Sequence, residues 1–161
     1  MSEENKAVEE EIKNIVQEMV DKMGFPAEVE MEKVSSEEGQ ETIICNIKTE
    51  ESNFLIGQYG VNLQSLQHIA RLLVRKKIDD KVNFTVDVNS YRQEKNNSLE
   101  KMAREAAEQA LRETRAIMMR PMSSYERRVV HMELSKNSQV KTESIGEGED
   151  RKVVVKPADM V

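Results

Sequence analysis

Apolar residues recur at helical spacing in two stretches of the first half of the chain. The first stretch ends at Gly24 followed by Pro26, residues that commonly stop a helix. The second begins after Gly60 and ends near Lys77, and a short helical segment at 51–56 precedes it. Its spacing predicts one buried face. The apolar positions assigned to that face are Leu63, Leu66, Ile69, Ala70, Leu73 and Val74.

Shorter segments alternate between apolar and polar residues, which is the pattern of half-buried strands. They lie at 27–34, 42–48 and 82–88. The polar stretch at 35–40 predicts a hairpin turn between the first two strands, and Asp79-Asp80 predicts a turn before the third. The predicted element order of this half is therefore α-β-β-α-α-β.

The longest helical pattern begins near residue 89 or 90 and has an apolar stripe made largely of small residues. Its positions are Leu99, Met102, Ala103, Ala106, Ala107, Ala110 and Leu111. Small residues on one face indicate that another element packs closely against it. A strand at 116–120, a helix at 123–135 and two strands at 140–145 and 151–156 are predicted to follow.

The length of 161 residues suits two small α+β domains, which we place at 1–90 and 91–161, joined by the long helix. Charged residues make up 34% of the chain, and no apolar run approaches the roughly 18 residues that a membrane span needs. The acidic start resembles no secretory signal, so we expect a cytoplasmic protein without direct membrane insertion. Cys45 is the sole cysteine, and no Cys/His spacing suits a metal, so we expect neither metal nor cofactor.

The net charge of −6 is unevenly distributed. Residues 1–41 contain four lysines against thirteen acidic residues, a net charge of −9, which leaves +3 for residues 42–161. Because local charge decides where a phosphate can dock, the acidic total does not exclude a nucleic-acid partner.

A first candidate site is the turn Gly57-Gln58-Tyr59-Gly60, which lies between two predicted helices. Two glycines three residues apart allow a sharp turn and a close approach of a sugar-phosphate strand. The start of the second helix adds free N–H groups that attract an anion. We expect Gln58, Tyr59 and Asn62 to add side-chain contacts. An ordinary glycine-rich turn between helices is the alternative.

The G-x-x-G turn within the α-β-β-α-α-β order resembles the KH domain of the bacterial, type II topology. KH domains hold about four nucleotides of a single strand through this loop. Gln58 and Tyr59 stand where many KH loops have Lys or Arg. Capture by backbone N–H groups does not depend on those side chains.

A second candidate site lies in the string from Pro121 to His131, on a predicted helix. Arg127 and His131 are neighbours at i and i+4, and Arg128 shares their polar sector. An Arg fork beside an imidazole suits a phosphate oxygen or a stacked base. The alternative is a basic helix face with a half-buried His131. The string resembles the R-three-H domain, a small α/β module named for its Arg-x-x-x-His motif, which binds single-stranded nucleic acid.

A KH domain followed by an R-three-H domain resembles the bacterial Jag family, also called SpoIIIJ-associated. The resemblance implies a non-enzymatic protein that binds single-stranded RNA, or single-stranded DNA, in post-transcriptional regulation linked to the cell envelope or cell shape. Many members of that family have an additional N-terminal module and linker, which we expect to be absent or shortened in this chain. No set of nucleophile, base and orienting group is evident, so we expect no catalytic residue.

The alternative function is a protein-interaction scaffold in envelope biogenesis or membrane-protein insertion. Its partner would be a KH protein or a second copy of the chain. If the protein binds RNA, we expect modest sequence specificity. The chain has no Trp and only 4% aromatic residues, which leaves few platforms for stacking bases.

Overall fold

The computed structural model describes residues 3–35, 41–78 and 82–160. It divides the chain into two compact units, Met1–Arg92 and Gln93–Val161. The described part contains helices and two three-stranded sheets, one in each unit, so the predicted α+β fold is confirmed. The turn predicted at Asp79-Asp80, and the turn predicted at 35–40 except for Ser35, lie outside the described residues.

The first unit has the predicted order of elements over its described residues. The helices and strands are α1 (Glu3–Lys22), β1 (Glu28–Ser35), β2 (Glu41–Lys48), α2 (Ser52–Ile56), α3 (Val61–Lys77) and β3 (Phe84–Val88). A single 3-10 turn, Gln58–Gly60, separates α2 from α3. The G-x-x-G string therefore forms a connection between two helices, as the sequence predicts.

The sheet of this unit has β2 at its centre, with β1 antiparallel and β3 parallel to it. Cys45 of β2 pairs with Met31 on one side and Val86 on the other. Helices α1 and α3 supply the other half of the core. Its fully buried side chains include Ile12, Val16, Val20, Ile47, Leu63, Val74 and Val88.

The buried face of α3 is narrower than predicted. Leu63, Leu66, Ala70 and Val74 are buried, but Ile69 is 46% exposed and Leu73 is 38% exposed. At roughly 100° per residue, the four buried positions form one straight stripe, and Ile69 and Leu73 fall on its flank. The prediction that these two residues belong to the core is wrong.

A buried amide takes part in the packing of α3. Gln67 is 7% exposed, and its side chain donates to the carbonyl of Phe84 at 3.2 Å and accepts from the N–H of Val86 at 2.5 Å. These two bonds satisfy main-chain groups of β3, which lies at the edge of the sheet. Burial of the amide is therefore compensated.

The second unit contains a mixture of helices and strands around its own core. The elements are α4 (Tyr91–Glu113), β4 (Ile117–Pro121), α5 (Ser124–Leu134), β5 (Val140–Ile145) and β6 (Lys152–Pro157). The sheet order is β4-β6-β5, and both pairings are antiparallel. Helix α4 begins two residues before the boundary between the units.

The small-residue stripe of α4 is buried, as predicted. Ala103, Ala106, Ala107 and Ala110 pack with buried residues of the strands and of α5. From Ala103 onward, α4 is thus a component of the core of the second unit, and not only a connection between the domains. Among the described residues, no helix is both long and apolar enough to cross a bilayer.

Candidate nucleic-acid interface

The loop between α2 and α3 depends on left-handed backbone conformations. Gly57 has φ +70° and Gly60, which immediately precedes α3, has φ +81°. The N–H of Gly57 donates to the carbonyl of Asn53 at 2.9 Å and ends α2. Tyr59 is also left-handed, with φ 56°. Glycine avoids the steric cost that a side chain would meet at the two outer positions.

The space beside each glycine is occupied by another side chain of the protein. A Cβ on Gly57 would lie 2.6 Å from Cγ of Asn62, and a Cβ on Gly60 would lie 3.2 Å from Cε1 of Tyr91. The sequence predicts that a nucleic-acid strand approaches over the glycines. On the sides where their Cβ atoms would point, close packing within the protein is a second reason for glycine, in addition to the left-handed backbone.

Asn62 has a structural bond at the base of this loop. Its amide Nδ2 donates to the carbonyl of Phe54 at 2.8 Å, which joins the first turn of α3 to α2. The residue is nevertheless exposed, and its oxygen has no hydrogen bond in the described part of the structure. Asn62 thus braces the loop, and its side chain occupies the space beside Gly57.

Gln58 and Tyr59 form the exposed tip of the loop. Tyr59 is 80% exposed, and Gln58 is exposed as well. No basic residue lies between Gly57 and Asn62, so attraction of an anion there relies on the first N–H groups of α3 and on the positive end of its dipole. The tip therefore offers neutral hydrogen-bonding groups and one exposed aromatic ring.

Helix α5 begins with a capping box that fixes its first turn. The Ser123 hydroxyl accepts from the N–H of Glu126 at 3.2 Å, and the Glu126 carboxylate accepts from the N–H of Ser123 at 2.7 Å. Burial alone would raise the pKa of Glu126. The Ser123 N–H, the guanidinium of Arg120 at 3.3 Å and the ammonium of Lys95 outweigh it and lower that pKa.

Both ring nitrogens of His131 already have partners on strand β5. Nδ1 lies 2.7 Å from Oγ1 of Thr142, and Nε2 lies 2.9 Å from Oγ of Ser144. Burial, followed by the positive charge of Arg127, lowers the pKa of His131. The neutral imidazole donates one of these bonds and accepts the other. The half-buried histidine that the sequence left open as an alternative is therefore present.

Arg127 and Arg128 differ in their surroundings. Arg127 is half-buried, and its guanidinium donates to the carbonyl of Met122 at 2.8 Å and to the hydroxyl of Ser124 at 3.2 Å. Arg128 is exposed and forms no hydrogen bond or ion pair within the described residues. Neither arginine has a carboxylate partner in that part of the chain.

The acidic residues of α5, in contrast, have cationic partners. Glu133 accepts from Lys136 and from Arg104 of α4, each at 2.7 Å, and these bonds lower its pKa. Glu126 is held by Arg120 and Lys95 as described above. The positive charge of Arg127 and Arg128 is therefore not cancelled locally, although the protein as a whole is acidic.

The partners of His131 could not be predicted from the sequence. Thr142 and Ser144 are two residues apart on β5, so they share one face of the strand. That alternation is visible in the sequence, but nothing in it indicates which helix packs on that face. A hydrogen bond from the exposed Tyr125 hydroxyl to Asn96 of α4, at 2.9 Å, was missed as well.

Comparisons with known proteins agree with this architecture. The model of the R-three-H domain matches residues 97–157. A relative from Bacillus subtilis (strain 168), named RNA-binding protein KhpB, is 35% identical over 124 residues, 76% of this chain and 60% of its own length. A relative of the same name from Clostridium symbiosum is 30% identical over 152 residues, 94% of this chain and 65% of its own length.

The similarity extends over most of the present chain but over only part of the relatives. The chain spans about 60% to 65% of the length of these two proteins. The matched R-three-H region contains Arg127, Arg128 and His131, together with both β5 hydroxyls. The chain is thus a homologue of the proteins named KhpB, and its residues 97–157 match the R-three-H domain, as the resemblance to the Jag family predicts.

Proposed function

We propose that this protein is a non-enzymatic, cytoplasmic protein that binds single-stranded RNA. The R-three-H surface of α5 would hold the strand through Arg127 and Arg128, and the tip at Gln58 and Tyr59 would hold it in the first, KH-like unit. The observation that carries this proposal is the pair of arginines on α5 without a carboxylate partner among the described residues. Relatives named as RNA-binding proteins support it.

The two arginines would contribute in different ways. The Met122 carbonyl and the Ser124 hydroxyl use part of the guanidinium of Arg127. Arginine has five N–H donors, so some remain for a phosphate oxygen after these two bonds are made. Arg128 is exposed and adds a charge that can follow the strand. His131 shapes this surface by holding β5 and does not need to contact the ligand.

The local chemistry does not favour hydrolysis. Ser144 and His131 could suggest a nucleophile and a base, but the other ring nitrogen of His131 meets the Thr142 hydroxyl and not a carboxylate. No acid therefore orients the imidazole or stabilises its cation. Burial raises the pKa of Cys45 to about 12, so this thiol stays protonated. Incubation with labelled RNA would reveal cleavage if this reasoning is wrong.

Two matched pairs of variants test the proposal. Arg128→Ala should weaken binding to single-stranded RNA, whereas Arg112→Ala, which removes the same charge from an exposed position on α4, should not. The double change Gln58→Asp and Tyr59→Asp should also weaken binding, because carboxylates repel phosphate. Asn97→Asp with Ser98→Asp adds the same charges on α4 as a control.

Affinity would be measured by fluorescence anisotropy with an unstructured oligonucleotide, and folding by thermal melting. Equal affinity of Arg128→Ala and Arg112→Ala would remove α5 from the proposed surface. Equal affinity of the two double Asp variants would exclude the Gly57–Gly60 loop from the proposed RNA-binding surface. A DNA strand of the same sequence would show whether the 2′-hydroxyl of RNA contributes to binding.

We also propose that the protein acts in post-transcriptional regulation linked to the cell envelope or cell shape. This part of the proposal rests on the resemblance to the Jag family.

A second candidate function is that of a protein-interaction scaffold in envelope biogenesis or membrane-protein insertion. Helix α3 favours it, because four of its apolar residues are exposed: Val61, Ile69, Leu72 and Leu73. Exposed apolar residues on one element are a common mark of a protein contact. The partner would be another KH protein or a second copy of the chain. Sedimentation analysis of the wild type and of Leu72→Glu would detect self-association through this helix.

A further inference from the structure

We propose that Tyr91 is a positioning residue for the Gly57–Gly60 loop. Its ring forms the wall against which Gly60 packs, and in this way it sets the direction of the first N–H groups of α3. The inference deepens the proposed function and rests on it, since it concerns how the RNA-binding loop of the first unit keeps its shape.

The contact between Tyr91 and Gly60 is close, and a side chain at residue 60 would press against the ring. The position of a Cβ on Gly60 lies 3.2 Å from Cε1, 3.7 Å from the hydroxyl oxygen and 3.9 Å from Cζ of Tyr91. Gly60 is buried and has φ +81° and ψ 16°. The edge of the ring thus covers the backbone of the residue from which α3 starts.

Tyr91 is itself held in place from the preceding residues. Asn89 and Ser90 both have left-handed backbones, with φ 47° and 57°. The Asn89 side chain accepts from the N–H of Thr49 at 3.1 Å and donates to the carbonyl of the same residue at 2.7 Å. Asn46 accepts from the N–H of Ser90 at 3.1 Å and donates to its hydroxyl at 3.0 Å.

The residue after Tyr91 is also anchored. The N–H of Arg92 donates to both carboxylate oxygens of Asp87 at 3.3 Å. The start of α4 is therefore fixed to β2 and β3 on both sides of Tyr91, which gives the ring a defined position. A short loop with a glycine at each end has little stiffness of its own, so a rigid neighbour of this kind determines its conformation.

This arrangement predicts different effects for two changes at one position. Tyr91→Leu removes the ring edge, and we expect it to weaken RNA binding roughly threefold to tenfold, a range that corresponds to partial loss of one contact. Tyr91→Phe keeps the ring edge and should remain within about twofold of the wild type. The amide NMR signals of Gln58, Tyr59 and Gly60 should move in the first variant and stay nearly unchanged in the second.

A double variant tests the contact without RNA. Gly60→Ala strains the left-handed backbone in either background, and it also places a methyl group against the ring. Only the second part of the loss of thermal stability depends on Tyr91, so the total loss should be smaller when Tyr91→Leu has made room for the methyl group. An equal loss in both backgrounds would overturn the contact. Tyr91→Met serves as the ring-free variant if Tyr91→Leu does not fold.

The outcomes separate this proposal from the proposed function. If the wild type binds no single-stranded RNA, or if the Asp changes at Gln58 and Tyr59 do not alter affinity, the RNA-binding function of the loop is refuted. The NMR and stability measurements would still test the contact between Tyr91 and Gly60. If the loop mutations weaken binding but Tyr91→Leu leaves affinity and loop signals unchanged, the positioning role of Tyr91 is refuted. Moved loop signals with unchanged affinity refute it as well.

Discussion

The double hydrogen bond between His131 and β5 predicts a loss of stability when this histidine is removed. Each neutral hydrogen bond stabilises a protein by a net of about 0.5–1.5 kcal/mol. His131 forms two, at 2.7 and 2.9 Å. Because the site is half-buried, water can satisfy part of what His131→Ala leaves unpaired, so we expect the free energy of unfolding to fall by roughly 1–2 kcal/mol.

A double-mutant cycle isolates the bond to Thr142. Thr142→Val keeps the shape of the side chain but removes the hydroxyl, and by itself should cost about 0.5–1.5 kcal/mol. If the two side chains interact as the structure shows, the double variant should lose less than the sum of the single losses, by roughly 0.5–1 kcal/mol. Thr142→Val thus has little further effect once His131 is gone.

The assay is urea denaturation, with amide hydrogen exchange in β5 and β6 to assign the loss to the second unit. Arg128→Ala is the matched control, because it removes an exposed side chain of α5 that has no partner among the described residues. It should leave stability nearly unchanged. Additive losses in the cycle, or an equal loss in Arg128→Ala, would refute the reasoning and return His131 to the list of direct RNA contacts.

Further predictions follow from the same geometry. Burial lowers the pKa of His131 from about 6.5 in the unfolded chain. Near that pH the unfolded state therefore binds more protons than the folded state. The free energy of unfolding should fall as the pH drops through about 6.5, and it should fall less in His131→Ala. Ser123→Ala should destabilise α5 by about 1 kcal/mol through loss of its cap, measured by urea denaturation; an unchanged midpoint would contradict this. Each phosphate contact adds about 0.7 to the steepness with which log affinity falls against log salt concentration, so roughly two to four contacts give a slope near −1.5 to −3. A much steeper slope would indicate a broader basic surface. If both units bind one strand, long oligonucleotides should bind more tightly than short ones, and Arg128→Ala should remove most of that gain.

The periodicity of apolar residues was sufficient to predict most of the elements. The predicted helix after Gly60 and the strand ending at Val88 agree with α3 and β3 to within a few residues. Local spacing works here because each element has one face against a core. It failed for Ile69 and Leu73, since apolar character alone does not show which flank of a helix reaches the sheet.

The partners of the candidate site residues could not be predicted in the same way. Arg127 and His131 are one turn apart on α5, a spacing that predicts a shared ligand. In the structure each has its own partners, Met122 and Ser124 for the arginine and the β5 hydroxyls for the histidine. Those contacts depend on tertiary packing between α5 and β5, which no spacing within the helix can show.

The local charge of α5 is also different in the structure from what a count of residues in the sequence indicates. This charge bears directly on RNA binding. A count of residues makes α5 nearly balanced, with Glu126 and Glu133 against Arg127 and Arg128. In the structure, cations of α4, β4 and the chain after α5 neutralise both acids, and the two arginines remain unmatched among the described residues. A phosphate at α5 would therefore meet positive charge whose competing carboxylates are already engaged. The loop tip at Gln58 and Tyr59 has no such charge, so the salt dependence of binding should arise mainly at α5.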